Sequence, residues 1–133
     1  DLHLLSRRQR QMCIRDSKLM TLKEIAALSN ARVIHENGHL DKVIRHAFAA
    51  DLMRDVLRLD TSEMILITGL ANLQVIRTAE MSDISFILFV RGKQASPDMV
   101  ELAKECNIAI LQSKQSMFKV CGLLYEAGLE PIY

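Results

Sequence analysis

Residues 64–90, MILITGLANLQVIRTAEMSDISFILFV, decide the fold of this chain. The stretch begins with a continuous apolar strand over 64–68, continues with a helical pattern over 73–81, and ends with a second apolar strand over 85–90. Continuous apolar strands that alternate with amphipathic helices are typical of βαβ units, in which helices cover a parallel sheet. This stretch therefore predicts an α/β fold.

The same rhythm continues towards the C-terminus. Pro97 stands at a first helical position, and the apolar stripe after it predicts a helix that reaches Cys106. Residues 109–112 predict a third parallel strand, and a last apolar stripe predicts a closing helix that ends at Gly128, a residue favoured just past a helix terminus. Three parallel βα units result.

The N-terminal half supplies the remaining elements. Thr21 and Glu24 form a capping box that predicts a first helix. Residues 32–35 and 43–49 are predicted to be extended, and the Asn-Gly turn at 37–38 predicts that they pair with each other. Together with the parallel units, these elements predict one domain with a mixed sheet of about five strands and flanking helices.

The first seventeen residues do not share this pattern. They contain four arginines and two aspartates without a sustained period, and RRQRQMCIRDS looks like a translated sequencing adaptor. We interpret residues 1–17 as a non-native or disordered extension and place the domain at 20–129. A natural basic arm that touches nucleic acid or lipid is the alternative.

Charge and hydropathy exclude several classes of partner. Without the extension, 13 basic residues face 14 acidic ones, so the domain lacks the basic surface of a nucleic-acid-binding protein. Because no apolar run approaches the roughly 18–20 residues of a membrane span, no membrane partner is predicted. The absence of a visible signal peptide or disulfide pattern favours the cytoplasm.

Cysteine and histidine positions do not predict a metal site. Cys106 and Cys121 lie fifteen residues apart without a CxxC motif, which favours buried thiols that act as small hydrophobic side chains over zinc ligands. Three histidines flank the predicted turn, and we expect exposed imidazoles rather than a metal site shared across a hairpin. These histidines are His35, His39 and His46.

The loops that follow the predicted parallel strands form the candidate ligand site. In open α/β sheets ligands bind beyond the carboxyl ends of the strands. The three loops combine glycines, which allow close approach, with hydroxyl, amide and basic groups that suit a small anionic, phosphate- or nucleotide-like metabolite. The candidate ligand-binding residues are Thr68, Gly69, Asn72, Arg91, Gly92, Ser113, Lys114 and Ser116.

Simpler roles exist for some of these polar residues. Asn72 and Ser116 are suitable N-caps for the helices that they precede. No phosphate-binding loop, dinucleotide fingerprint or GxSxG motif occurs, so the sequence assigns no cofactor and no catalytic residue.

An acidic cluster supports an alternative hypothesis, in which the protein is an enzyme. Asp51 and Asp55, four residues apart, could share a helix face and bind a divalent cation or act as an acid–base pair. The competing interpretation makes Asp51 the N-cap of that helix, while Asp60 opens the next turn. The buried side of the helix is predicted to comprise Leu52, Met53, Val56 and Leu57.

Several stretches carry a resemblance to a known family. They are LD at 40–41, ADLMRDVL at 50–57, ITGL at 67–70, FVRG at 89–92, and MF at 117–118 followed by GLLY at 122–125. From residue 20 to about 128 the chain resembles the DRTGG domain family, although the five-letter string itself is absent.

The resemblance implies a non-catalytic, regulatory α/β domain similar to the N-terminal region of HPr kinase. Relatives of this family occur inside phosphate acetyltransferases and between nucleotide-binding CBS domains of some pyrophosphatases. We therefore expect a cytoplasmic, homodimeric domain that senses a small anionic metabolite. A structural association module without a small ligand is the alternative, and an enzyme that uses the Asp51 and Asp55 pair is a third hypothesis.

Overall fold

The computed structural model describes residues 19–36, 38–56 and 63–132. The extension interpreted at 1–17 lies outside these residues, as do Cys13, Leu57 and Asp60. The elements in chain order are β1 (Met20–Thr21), α1 (Leu22–Leu28), β2 (Ala31–His35), β3 (Val43–Ile44), β4 (His46–Ala49), α2 (Met53–Val56), β5 (Met64–Thr68), α3 (Leu73–Met81), β6 (Phe86–Phe89), α4 (Pro97–Cys106), β7 (Ala109–Ser113), α5 (Met117–Ala127) and β8 (Glu130–Pro131).

The main sheet has the strand order β2-β7-β6-β5-β4-β8, and a small second sheet pairs β1 with β3. Strands β4 to β8 are parallel to their neighbours, whereas β2 lies antiparallel to β7 at one edge. The predicted α/β fold with a mixed sheet is confirmed. The main sheet has six strands where about five were predicted, because β8 adds a short strand outside β4.

The predicted pairing of 32–35 with 43–49 is wrong. Strand β2 pairs with β7, whereas β4 lies on the far side of the sheet, between β5 and β8. The two strands are therefore not hairpin partners. Among the described residues between them, His39 is buried and its Nε2 donates to the carbonyl oxygen of Asn107 at 2.9 Å. That contact holds His39 against the residue that ends α4.

His39 also corrects the expectation of solvated imidazoles. Its side chain is 2% exposed and meets the ring of Phe86 edge-on, with centroids 5.5 Å apart. His35 and His46 are partly buried. Within the three described segments, no group of three or more His, Cys, Asp or Glu side chains is arranged to hold a metal ion.

The central strands are apolar because both faces of the sheet are covered. All five residues of β5 are buried, and their side chains alternate between two cores. Ile65 and Ile67 belong to the core that includes Val120 of α5, whereas Met64 and Leu66 belong to the core with Ile76 of α3. Because both faces are covered, the polar loops lie at the ends of the strands, and the candidate ligand-binding residues lie at or just beyond the carboxyl ends.

At α1, α3 and α5, local signals place the helix starts where they were predicted. The side chains of Thr21, Asn72 and Ser116 each accept the backbone N–H three residues on, at the starts of α1, α3 and α5. Gly128 ends α5 with φ at +116°, in the left-handed region that glycine tolerates. In the part of the chain that is described, no helix is long and apolar enough to cross a membrane.

Candidate functional site

Arg91 connects the three loops at the carboxyl edge of the sheet. It follows β6 with φ at +61°, and its backbone N–H donates to the carbonyl oxygen of Gln115, in the loop after β7, at 2.8 Å. Its side-chain Nη2 donates to the carbonyl oxygen of Gly69, in the loop after β5, at 3.3 Å. The next residue, Gly92, donates its N–H to the carbonyl oxygen of Ser113 at 3.0 Å. One residue therefore holds together loops that are far apart in sequence.

Gly69 permits this arrangement by its lack of a side chain. A Cβ at this position would lie 2.6 Å from Nε of Arg91, well inside van der Waals contact. Its φ is not among the positive values, which among the described glycines belong to Gly38, Gly92 and Gly128. Close approach of the guanidinium therefore explains glycine here, rather than backbone strain.

Asp51 completes the cluster from a fourth strand. It follows the carboxyl end of β4, and its Oδ1 accepts from Oγ1 of Thr68 at 3.1 Å and from the N–H of Gly69 at 2.8 Å. Its Oδ2 lies 3.9 Å from Nη2 of Arg91. We define Asp51, Thr68, Gly69 and Arg91 as the strand-end cluster.

The N-cap and acid-pair interpretations of Asp51 both depended on a helix that includes it. Helix α2 begins only at Met53, and the Asp51 carboxylate turns towards β5 instead of capping α2. Asp51 and Asp55 therefore lack the shared helix face that the acid–base hypothesis required. Leu52, predicted on the buried side, is 54% exposed, whereas Met53 and Val56 are buried.

The predicted hydroxyl groups bond within the chain. Thr68 is buried, and its Oγ1 also accepts the N–H of Leu70 at 3.1 Å. Ser113 is buried as well: its Oγ donates to the carbonyl oxygen of Ser29 at 2.8 Å and accepts the N–H of Gln115 at 3.2 Å. These hydroxyls fix the strand ends, so they contribute to a site by shaping it.

The remaining predicted residues are two helix caps and one exposed lysine. Asn72 and Ser116 cap α3 and α5, which confirms their simpler role. Lys114 is exposed in the loop after β7, and Lys93 is exposed in the loop after β6. With the half-exposed guanidinium of Arg91, these side chains supply positive charge to the loops at this edge.

A second surface feature was not predicted from the sequence. An apolar groove of about 430 Å³ lies between the β4–β8 edge and α5, and we call it the edge groove. Its lining includes Ala47, Ala49 and Gly122, and at its border Phe118 is 90% exposed. Cys121 also lines the edge groove, and burial raises the pKa of its thiol.

The other described cysteine lies away from both features. Cys106 ends α4, and burial, followed by a hydrogen bond with Glu80, raises the pKa of its thiol to about 11. A thiol with that pKa is almost entirely protonated at neutral pH and is a poor nucleophile. Both thiols were predicted to be buried, whereas Cys106 and Cys121 are each only partly buried.

Asp51 was not predicted at the site, because β4 was not recognised from the sequence as a parallel strand. The rule that ligand sites lie beyond parallel strand ends was applied to three strands, and β4 is a fourth. The signal was available: residues 46–49 are followed by Ala50 and Asp51, a small residue and an acid at a strand end.

The architecture defines an open-sheet α/β domain whose polar groups gather at the carboxyl edge. The chain belongs to the DRTGG domain family, whose sequence model matches residues 24–127. A comparison with curated proteins found no match.

Among solved structures, the chain is similar to the CBS and DRTGG domains of the regulatory region of Clostridium perfringens pyrophosphatase, crystallised with the activator diadenosine tetraphosphate. The TM-score is 0.69 at 19% sequence identity, and the match covers 82% of this chain and 47% of that one. The chain thus spans about half the length of that structure, and the likeness shows a common fold.

Proposed function

We propose that this domain is a non-catalytic sensor of a small anionic metabolite, phosphate- or nucleotide-like, that binds at the carboxyl edge of the sheet. The single observation that carries the proposal is the position of Arg91. Its guanidinium is half exposed, lies over Gly69 and stands at the junction of three loops. Arginine binds phosphate and carboxylate groups through paired N–H donors, so this placement suits an oxyanion.

Family and fold support the same proposal. A structure with this fold belongs to a regulatory region and was crystallised with a nucleotide activator, which is a polyanion. Lys93 and Lys114 are exposed on the adjoining loops and can add charge to a larger phosphate ligand. The proposal includes a cytoplasmic location, because such metabolites occur there.

The test is a melting screen of the 133-residue chain with inorganic phosphate, pyrophosphate and adenine nucleotides. A ligand at one hundred times its dissociation constant stabilises the fold by about 2.7 kcal/mol. Arg91→Ala should remove that shift and leave the melting temperature without ligand nearly unchanged, because a half-exposed arginine contributes little to folding.

Arg77→Ala is the matched control, since Arg77 is an exposed arginine on α3 rather than in a strand-end loop. It should keep the full ligand shift. If Arg91→Ala also keeps the shift, or if none of the anions stabilises the parent chain, the sensing proposal is wrong.

The edge groove favours a second candidate function, a homodimerisation module. Phe118 projects beside a groove lined mainly by apolar side chains, and one face therefore offers both a protruding ring and a space that can accept one. A two-fold dimer brings the same face of each copy together, so a self-complementary face suits a second copy of this chain. The two functions are compatible, because the edge groove and the strand-end cluster share no residue.

A further inference from the structure

The strand-end cluster already holds an anion, and that anion is the side chain of Asp51. Three donors of different kinds converge on one carboxylate: the Thr68 hydroxyl, the Gly69 N–H and, at 3.9 Å, the Arg91 guanidinium. A hydroxyl, a backbone N–H and an arginine are the groups with which proteins bind the oxygens of carboxylates and phosphates. The carboxylate of Asp51 stands where a ligand oxyanion would bind.

The contact is open to competition from solution. The Asp51 and Arg91 side chains are 51% and 52% exposed, so a solute can reach both partners. Exposed ion pairs contribute little to stability, because water screens the charges and holding two long side chains in place costs entropy. The Asp51 side chain can therefore leave the cluster without unfolding the domain.

We propose that Asp51 is an internal competitor that sets the affinity and selectivity of the anion site. An incoming oxyanion takes over the Thr68, Gly69 and Arg91 donors, and the Asp51 carboxylate turns into solvent. This inference rests on the proposed function, because it assumes that the anion binds at Arg91. It also predicts selectivity, since a phosphate carries more charge than the carboxylate that it replaces.

Displacement of Asp51 gives the site a means of signalling. Asp51 lies between Ala50, whose N–H is bonded to the carbonyl oxygen of Ile67 at 3.0 Å, and Met53, which is buried in the core. The segment is held on both sides, so the release of the carboxylate is a local change at the start of α2. Ligand binding thereby changes the exposed surface around Leu52.

The experiment measures inorganic phosphate binding to the full chain by calorimetry in four forms: parent, Asp51→Asn, Asp55→Asn and Arg91→Ala. Asparagine keeps the shape of Asp51 and an acceptor oxygen but removes the competing charge. We expect Asp51→Asn to bind phosphate at least about tenfold more tightly than the parent, because the departing group is neutral. Asp55→Asn changes the net charge equally at an exposed position of the same segment, and should leave the affinity nearly unchanged.

The outcomes separate this inference from the proposed function. If Arg91→Ala loses phosphate while Asp51→Asn binds no more tightly than the parent, the competitor role is wrong and the sensing proposal stands. If Arg91→Ala binds phosphate as the parent does, the sensing proposal fails and the inference fails with it. If neither the parent nor Asp51→Asn binds phosphate, the sensing proposal and the inference both fail.

A second measurement needs no variant and covers the case in which Asp51→Asn does not fold. In the parent chain, a phosphate titration followed by NMR should move the Gly69 amide and the Asp51 carboxyl resonances together. A shift at Gly69 with an unmoved Asp51 carboxyl would overturn the displacement.

Discussion

At the scale of single residues, the contact between Gly69 and Arg91 determines where the guanidinium lies in the candidate site. The guanidinium lies so close to the backbone of Gly69 that no side chain fits between them. The contact positions the guanidinium but adds little to the stability of the fold, because the arginine is half exposed and its hydrogen bond to the Gly69 carbonyl is 3.3 Å long. A small change at Gly69 should therefore affect binding and folding differently.

Gly69→Ala tests this difference. The added methyl group displaces the end of a flexible arginine side chain, so we expect the free energy of unfolding to fall by less than about 1 kcal/mol. The phosphate-induced rise in melting temperature should fall sharply, because the guanidinium no longer lies over the loop. Thermal melts with and without phosphate measure both effects.

Gly122→Ala is the control for that experiment. A Cβ at Gly122, inside α5, meets nothing within 4 Å, and alanine in a helix is favoured over glycine by about 1 kcal/mol. Gly122→Ala should keep the phosphate response of the parent, because Gly122 lines the edge groove and is not part of the strand-end cluster. An unchanged phosphate response in Gly69→Ala would contradict the role given to the contact.

At the scale of elements, the helix that follows β5 shows how a predicted site residue acts. Asn72 is extended, with φ at −148°, and its Oδ1 accepts the N–H of Val75 at 3.1 Å. This bond satisfies one of the N–H groups that the start of every helix leaves unpaired. The residue type that suggested a ligand contact is here explained by helix capping.

Replacing Asn72 tests its role as a helix cap. Asn72→Ala should lower the free energy of unfolding by about 1 kcal/mol, the usual cost of losing an N-cap. Asn72→Asp should keep the parent stability, because aspartate caps equally well. Urea unfolding measures both, and an Asn72→Ala variant as stable as the parent would show that the cap contributes nothing.

At the scale of the whole molecule, the edge groove raises the question of association. Among the described residues that line it, Glu130 is the only one with a charged side chain, so little charge opposes the approach of another apolar surface. A face with a nine-tenths exposed phenylalanine beside a cavity is typical of an interaction site. We expect the 133-residue chain to sediment as a dimer at micromolar concentration.

Phe118→Ser should convert that dimer to a monomer. The variant should keep the secondary structure of the parent, because an exposed side chain contributes little to the core. Met81→Ser, at an apolar residue 72% exposed on α3, is the control and should remain dimeric. Sedimentation of the parent as a monomer at high micromolar concentration would contradict the dimer.

The sequence by itself determined the alternation of strands and helices from Met64 onward and the caps at Thr21, Asn72, Ser116 and Gly128. These features depend on side-chain period and on bonds between residues three or four positions apart, so a short window of sequence contains them. The loops of the candidate site were found for the same reason, because each follows an apolar strand directly.

Only the tertiary structure decided which strands are neighbours and what meets at their ends. Strand β2 pairs with β7, and His39 bonds to Asn107, 68 residues away. The same long-range folding brings Asp51 to Gly69 and Arg91. Pairing between distant segments depends on how the whole core packs, and no local pattern specifies it. The chemistry of the strand-end cluster belongs to this second kind of information, since its four residues come from three separate strand ends.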